Sequence, residues 1–497
     1  MPAIASDQDP ARSRDSAGAG AYKTLITPSE RARLTLALAG GKAAGTAARM
    51  LGVGGGTSFP GIVARRIDPR VLQKAAAASD ARKVIVTGSN GKTTTCRMLA
   101  ALARAGGLAV TQNRSGSNLL QGVTSAAVRE SDLLGRMDAQ MLLLEVDEAT
   151  VRLVAPELRP DTFLITNIFR DQLDRFGELY SMARKLEAVI DGLPASATVV
   201  LNADDPLVAS LAPGAPARRL YYGIQADGEQ EPEHAADTIR CVRCQHMLSY
   251  RAVHLSHLGD YRCPACGSSR PRLDVAVTQI RPAQAGSGIT GSEITVETPA
   301  GSYPLQVPLP GMHNVYNAAA ALAGQIALSL PRPPGPEQAR RALAGVRPAF
   351  GRLEEIAAGE RQVVLAFVKN PTSYNTTLRE VLRRPGRKHV LAAHSNTVVD
   401  GEDFAWLWDT EIEQLVPQLA SLTVSGTRAE EAWLRFKYAG ADPALTQVLP
   451  GRLAALDAAL TRTPPGECLY IFAGYTPMRE LRGIMQRRGW VRPSWEE

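Results

Sequence analysis

From Val84 onward, short β-branched runs alternate with amphipathic Ala/Leu-rich stretches, a pattern that predicts βαβ units around a mainly parallel sheet. The strands it predicts are Val84–Val86, Met141–Glu145, Thr162–Thr166 and Thr198–Leu201. Each is followed by polar, Gly or Asp residues at its C-terminal end, the edge at which open α/β sheets hold their ligands. Upstream, Thr27–Met50 has a Ser/Glu-rich start and an apolar, Ala-rich helical pattern, expected to pack against the domain that follows. Gly52–Pro60 reads as a flexible loop. Gln225–Arg272 breaks the alternation with polar, Cys- and His-bearing sequence and reads as an insertion. Alternation returns in Ile289–Val307, an Ala-rich helix begins near Asn314, and Pro331–Pro336 marks a turn-rich connection. A second, smaller α/β domain is expected from about Pro348, with strands at Val363–Val368, Val390–Ala393, Ser421–Val424 and Cys468–Phe472. The predicted organisation is a disordered tail over 1–29, a central domain over 30–347 whose insertion lies at about 238–272, and a C-terminal domain over 348–497.

Composition refines this picture without redirecting it. A chain of 497 residues, 45% hydrophobic and 21% charged, is ordinary globular material for two or three domains. Lys+Arg outnumber Asp+Glu by 56 to 49, and the excess of +7 is spread along the chain. Such a balance suits phosphate-rich substrates or an anionic membrane surface and does not call for nucleic acid. No apolar run reaches membrane-spanning length, and the first residues lack the apolar core of a signal peptide, so a cytoplasmic location is expected. Cys96 and Cys468 stand alone in apolar surroundings and read as buried packing, so disulfides are not the framework.

The most constraining segment is Val84–Thr95, VIVTGSNGKTTT. A β-branched run stops at Thr87-Gly88 and enters a helix through Gly91-Lys92-Thr93-Thr94, which is the layout of a nucleoside triphosphate cradle. Gly88, Asn90 and Gly91 bring backbone N–H groups to phosphate oxygens, the helix N-terminus adds its positive dipole end, Lys92 reaches the terminal phosphates, and Thr93 offers a hydroxyl to Mg²⁺. Glu145 ends the apolar run MLLLE beside this loop and is placed to help hold Mg²⁺, with Asp147 and Glu148 as weaker candidates. Two further segments are dense in polar chemistry, Thr166–Glu178 (TNIFRDQLDRFGE) and Gly311–Asn317 (GMHNVYN). Cys241, Cys244, Cys263 and Cys266 form C-x₂-C-x₁₈-C-x₂-C, a zinc-ribbon spacing that predicts a closed, structural Zn²⁺ site. Nearby arginines raise nucleic-acid binding as a runner-up, but they lack an aromatic stacking series. His246, His254 and His257 lie close by but are not needed as ligands.

In combination these motifs resemble the Mur ligase family. TGSNGKTT is similar to its ATP loop. Asn167, Arg170, Asp171 and Asp174 resemble its N-x-x-R-D-H-L-D-x-H-G segment, with Gln172 and Phe176 where many members have His. His313, Asn314 and Asn317 resemble its nucleotide-binding asparagines at a helix start, and Gly351-Arg352 resembles the element whose arginine reaches back to phosphate when the domains close. Lys185 lies one position from where many members carry a carbamylated lysine. Within the family, the Cys₄ insertion, Lys369 in the Phe367–Pro371 segment, DGEDFAWLWD (Asp400–Asp409), Ser425–Gly440 and Tyr475–Arg482 look like the MurT subunits of bacterial lipid II isoglutaminyl synthases.

The resemblance implies a Mur-type P-loop domain followed by a Rossmann-like domain, with ATP, Mg²⁺ and Zn²⁺ as cofactors. It implies amidation of the D-glutamate α-carboxylate in the lipid II stem peptide through an acyl phosphate, with Lys92 and Arg352 stabilising the transferring charge. Ammonia is expected from a GatD-like glutaminase partner docked on the C-terminal domain. Asp400, or alternatively Asp403, would complete that partner's triad, unless the aspartate only caps the helix near Phe404. The short stretch before the ATP loop leaves no room for a uridine diphosphate-binding domain, which fits a lipid-linked substrate at the membrane face. The alternatives are a folylpolyglutamate-synthase-like amino-acid ligase and a nucleotide-gated binding subunit whose ribbon engages a partner.

Overall fold

The computed structural model describes residues 27–50, 58–113, 117–170, 179–228, 237–285, 288–330, 333–347, 351–397, 400–401 and 403–491. Most of the expected tail, and Asp171, Gln172, Asp174 and Phe176 of the polar segment, therefore lie outside the described residues. The chain forms two compact units, one of residues up to 82 together with 111–142, the other of residues 83–110 and 143–497.

The first unit is helical. Its longest helix, Pro28–Met50, buries Leu34, Ala37 and Leu38 against Ala64, Val71 and Val128 from the helices Phe59–Ile67, Val71–Ala78 and Leu120–Glu130. Glycine sets one of these approaches: a Cβ on Gly61 would stand 2.0 Å from the Gln121 carbonyl, and in its absence the Gly61 N–H donates to Ser125 Oγ at 2.8 Å. The loop expected over Gly52–Pro60 ends sooner than the sequence suggests, because Phe59 and Pro60 already open a helix. Proline is at home there, since the N–H it lacks has no intrahelical partner in a first turn.

The second unit carries two sheets. In chain order the strands are β1 (Arg82–Thr87), the short β2 (Val110–Gln112), which falls mostly in the first unit, and, in the larger sheet with β1, β3 (Met141–Glu145), β4 (Thr162–Ile165), β5 (Thr198–Asn202) and β6 (Arg218–Ile224). A separate hairpin, β7 (Ser249–Leu255) and β8 (Leu258–Arg262), interrupts the series before β9 (Val275–Ala285), β10 (Gly288–Thr298) and β11 (Gly301–Val307). The spatial order runs β11-β10-β9-β6-β5-β4-β1-β3. Pairing is parallel from β1 through β4, β5 and β6 to β9, and antiparallel along β9, β10 and β11. The central strands are buried on both faces, which is why they read as unbroken apolar runs and not as an alternation. Helices Lys92–Ala105 and Met312–Ala327 pack together there: Gly324 has no Cβ to collide with Leu99 and Leu164, whose methyls lie 3.1 and 3.2 Å from where it would be.

The smaller sheet holds β12 (Glu354–Ala358), β13 (Arg361–Phe367), β14 (Lys388–Ala393), β15 (Leu419–Ser425), β16 (Thr446–Val448) and β17 (Cys468–Ala473) in the order β12-β13-β17-β14-β15-β16. All its pairings are parallel except that of edge strand β12 with β13. Tyr374, Phe436 and Phe472 centre its core. Among the described residues no helix is long and apolar enough to cross a membrane.

Candidate active site

The turn after β1 needs glycine twice. Gly88 (φ 125°) and Gly91 (φ 87°) sit in left-handed backbone, and a Cβ at either would lie 2.2 Å from Thr166 Oγ1 or 2.1 Å from Asn317 Oδ1. The loop is clamped by the end of β4. Asn167 accepts from the Asn90 N–H through Oδ1 at 2.9 Å and donates from Nδ2 to the Asn90 carbonyl at 3.1 Å, while Thr166 Oγ1 donates to the same carbonyl at 2.7 Å. Ser89 Oγ accepts from the Phe169 N–H at 2.9 Å and donates to the Phe169 carbonyl at 3.0 Å. Asn167, read from sequence as a nucleotide contact, thus also shapes the loop that makes the contact.

Lys92 opens the helix and is buried. Its Nζ donates to the Gly88 carbonyl and, at 3.0 Å, to Glu148 Oε1, so the acid that looked weaker in the sequence is the lysine's ion-pair partner. Thr93 Oγ1 donates to Glu145 Oε2 at 2.8 Å. Neighbouring oxygens on octahedral Mg²⁺ stand about 2.9 Å apart, so this pair fits two positions of one magnesium shell.

A cavity of about 460 Å³ lies beside the loop. Asn90, Gly91, Thr94 and Asn167 face it from the large sheet, His313, Asn314 and Asn317 from the helix Met312–Ala327, and Arg352, Phe367 and Thr372 from the C-terminal domain. The asparagines form a chain: Asn317 Nδ2 donates to Asn314 Oδ1 at 3.1 Å, Asn314 Nδ2 to the Pro310 carbonyl at 2.7 Å, and Thr95 Oγ1 to Asn317 Oδ1 at 3.3 Å. Burial, aided by the Arg352 guanidinium, pushes His313 down to about 4, so its ring is neutral at physiological pH. Arg352 stacks its Cζ 5.2 Å from the centre of the Phe367 ring. Asn370, fully buried, caps the helix Pro371–Arg383 and donates to Asn90 Oδ1 at 3.4 Å. The structure therefore brings every predicted nucleotide contact, from both domains, to one loop and its adjoining cavity.

The insertion ends in two turns that carry the cysteines. Gln245 N–H donates to the Cys241 carbonyl and Gly267 N–H to the Cys263 carbonyl, which folds each C-x-x-C back on itself. All four sulfurs lie within 4.8 Å of one another, with Cys241–Cys266 and Cys244–Cys263 Sγ pairs at 3.5 Å. A tetrahedral thiolate zinc site separates its sulfurs by about 3.8 Å, so the donor set fits that ion. The Cys266 backbone N–H aimed at its sulfur draws the Cys263 thiol down to about 6. No histidine joins the cluster among the described residues.

Residues 86–261 match the description of a Mur ligase middle domain and residues 367–478 that of a MurT ligase C-terminal domain. The MurT subunit of a glutamine-hydrolysing lipid II isoglutaminyl synthase from Streptococcus pneumoniae is 30% identical over 446 residues, covering 88% of this chain and 94% of its own length. The chain belongs to the MurT family. A second MurT subunit of the same designation, from Staphylococcus aureus, is 29% identical over 386 residues, covering 77% and 83% of the two chains. In fold, a pseudomurein peptide ligase type C from Methanothermus fervidus superposes with a TM-score of 0.62 at 20% identity, covering 82% of this chain and 79% of that one. As a MurT-family protein the chain is an ATP-dependent ligase.

Within the MurT C-terminal region, Asp400 is committed to its own domain: Oδ2 accepts from Thr397 Oγ1 at 2.6 Å and Oδ1 from the Thr476 N–H at 2.8 Å, at the start of the helix Tyr475–Arg487. Asp403 is exposed, and its Oδ1 accepts from the Ala405 N–H at 2.8 Å, an Asx turn just ahead of the 3₁₀ turn Ala405–Asp409. Asp409 accepts from Arg170 Nη1 at 2.9 Å, and Arg170 also pairs with Asp237. Sequence reasoning did not single out Asp237, Asp409 or the acidic pair Asp204-Asp205, although that pair follows β5 as Glu145 closes β3.

Proposed function

We propose that this MurT-family chain amidates the α-carboxylate of the D-glutamate in the lipid II stem peptide, giving D-isoglutamine for peptidoglycan synthesis. The carrying observation is the likeness to named MurT subunits through both domains, and it is supported by one cavity that Asn90 and Gly91 of the glycine loop line together with Arg352. A carboxylate is a poor electrophile, so the reaction proceeds in two displacements. A carboxylate oxygen attacks the γ-phosphorus of ATP and ADP leaves; ammonia then attacks the acyl carbon, inorganic phosphate leaves, and the nitrogen gives up a proton. Lys92 and Arg352 offset the negative charge spread over the transferring phosphoryl oxygens. Mg²⁺, held by Thr93 and Glu145, would neutralise triphosphate charge.

The remaining assignments belong to the same reading. Cys241, Cys244, Cys263 and Cys266 hold a structural Zn²⁺, and the ATP domain runs over 30–347 with the C-terminal domain after it. A GatD-like glutaminase supplies ammonia, and the complex works at the cytoplasmic face of the membrane. Of the two aspartates offered to the partner's triad we take Asp403, because it is exposed whereas both oxygens of Asp400 accept hydrogen bonds inside the domain. In the complex, Asp403→Asn should abolish glutamine-driven amidation and spare ammonia-driven amidation.

The test is mass spectrometry of purified lipid II after incubation with this chain, Mg²⁺-ATP and ammonium chloride, beside a Lys92→Ala control. Replacement of hydroxyl by amino at the D-glutamyl residue, dependent on Lys92, is the expected result. If nucleotide binds and lipid II is unaltered with and without a glutaminase, amidation is the wrong reaction.

A further inference from the structure

The Cys₄ insertion has so far been given only a structural metal, yet its far end does not face solvent. The cysteines flank the hairpin of β7 and β8, and the hairpin's tip, Leu255 to Leu258, is driven into the second unit: Leu258 and His257 are fully buried, and Leu255 nearly so. Both leucines line the 460 Å³ cavity, facing the asparagines and Arg352 already described. We propose that this tip is part of the nucleotide site, with Leu255 and Leu258 forming an apolar wall on which the base packs and with Arg270 setting, through Asp204, where that wall stands.

Three observations carry it independently. The first is the lining itself, since a base presents two apolar faces and Leu255 and Leu258 line the same cavity as Asn90 and Gly91 of the phosphate loop. The second is the bracing of the hairpin. Arg270 Nη1 donates to Asp204 Oδ1 at 2.9 Å, the Gly259 N–H donates to the Asp204 carbonyl at 3.0 Å, and Tyr316 Oη donates to Asp204 Oδ2 at 2.7 Å. Tyr316 stands between Asn314 and Asn317 on their helix, so one buried carboxylate fixes the spacing between the hairpin and the asparagines. The third is a contact to the loop clamp: the His257 ring centre lies 4.8 Å from that of Phe169, whose peptide brackets Ser89 of the phosphate loop. The cysteines tie the base of the hairpin while its tip serves the site, which gives the insertion a reason to be rigid.

This inference rests on reading the cavity as the nucleotide site, and the experiment separates the two. Calorimetry on the full chain compares a non-hydrolysable Mg²⁺-ATP analogue with Mg²⁺-tripolyphosphate, which has phosphates and no base. Leu258→Ala should weaken the nucleotide analogue roughly tenfold and leave tripolyphosphate within about twofold of wild type. Leu255→Phe, which adds volume and keeps the hairpin apolar, should give the same split by crowding the base, and covers the case in which the alanine variant does not fold. Unchanged nucleotide affinity in a folded variant overturns the proposal, and so does an equal loss of both ligands. Wild type that binds tripolyphosphate but gains nothing from the base overturns the reading of the cavity itself, before any variant is made.

Discussion

Two acidic clusters close parallel strands of the same sheet and meet opposite fates. Glu145 and Glu148, at and after β3, are 8% and 4% exposed and face a hydroxyl and an ammonium of the phosphate-loop helix, Thr93 and Lys92. Asp204 and Asp205, after β5, have no exposure, and their oxygens are taken up by backbone N–H groups of Ile168, Leu207, Val208 and Ile224, by Tyr316 and by Arg270. The difference lies in the partners. A carboxylate facing Thr and Lys beside a glycine loop can exchange them for magnesium and phosphate, whereas one saturated by fixed donors can only hold its surroundings together.

The contrast breaks most visibly in folding. Asp204→Ala removes the anion that the buried Arg270 and Tyr316 share, and the chain should lose about 3–5 kcal/mol of stability in urea titration. Glu145→Gln should move stability by less than about 1 kcal/mol but lower Mg²⁺-dependent amidation roughly 10²-fold, with part of the loss recovered at high Mg²⁺. If the glutamine variant unfolds, or the Asp204 variant melts like wild type, the division between a catalytic and a structural pair is wrong.

That division also marks what the sequence could reveal. The glycines, Lys92 and Thr93 are contiguous, so the chemistry of the loop is written in one segment whose backbone geometry only glycine permits. The buried central strands were legible because both faces are apolar. Edge strands such as β12 and β16 were not, since they bury one face or less and read as polar turn material. The Cys₄ spacing pointed to a cluster of four sulfurs but not to the burial of the hairpin tip, because Leu255 and Leu258 differ from core leucines only in what stands across the cavity from them. Asp204 and Asp205 match the strand-end signature of Glu145, and only long-range partners, Arg270 and Tyr316, tell them apart. The contacts of Asp400 with Thr397 and Thr476 are out of reach of the sequence for the same reason.

Acid sharpens the comparison by loading groups that neither cluster contains. Burial, with Arg452 nearby, pushes His394 down to about 3, inside a ring of Tyr374, Phe404 and Trp406. Its folded pKa lies below the unfolded value near 6.5, so the unfolded chain binds the extra proton and stability falls as pH drops below about 6.5 toward 3. From this group alone the loss between pH 7 and pH 5 is about 2 kcal/mol. His394→Phe, which keeps the ring volume, should flatten that part of the pH–stability curve. An unchanged slope would mean that other groups set acid stability.

The smallest effect separates the two aspartates of the C-terminal segment. Asp400 resembles Asp204 in having both oxygens engaged, and Asp400→Asn turns one acceptor into a donor facing Thr397 Oγ1 or the Thr476 N–H. The threonine hydroxyl can rotate to accept, so the cost should stay near 1 kcal/mol. Asp403→Asn keeps an acceptor for the Ala405 N–H, and asparagine forms this Asx turn as readily as aspartate does, so thermal unfolding of the isolated chain should shift by less than about 0.5 kcal/mol. A larger loss at Asp403 than at Asp400 would make Asp403 a structural residue like Asp204, and Asp400 would become the better candidate for work outside its own domain.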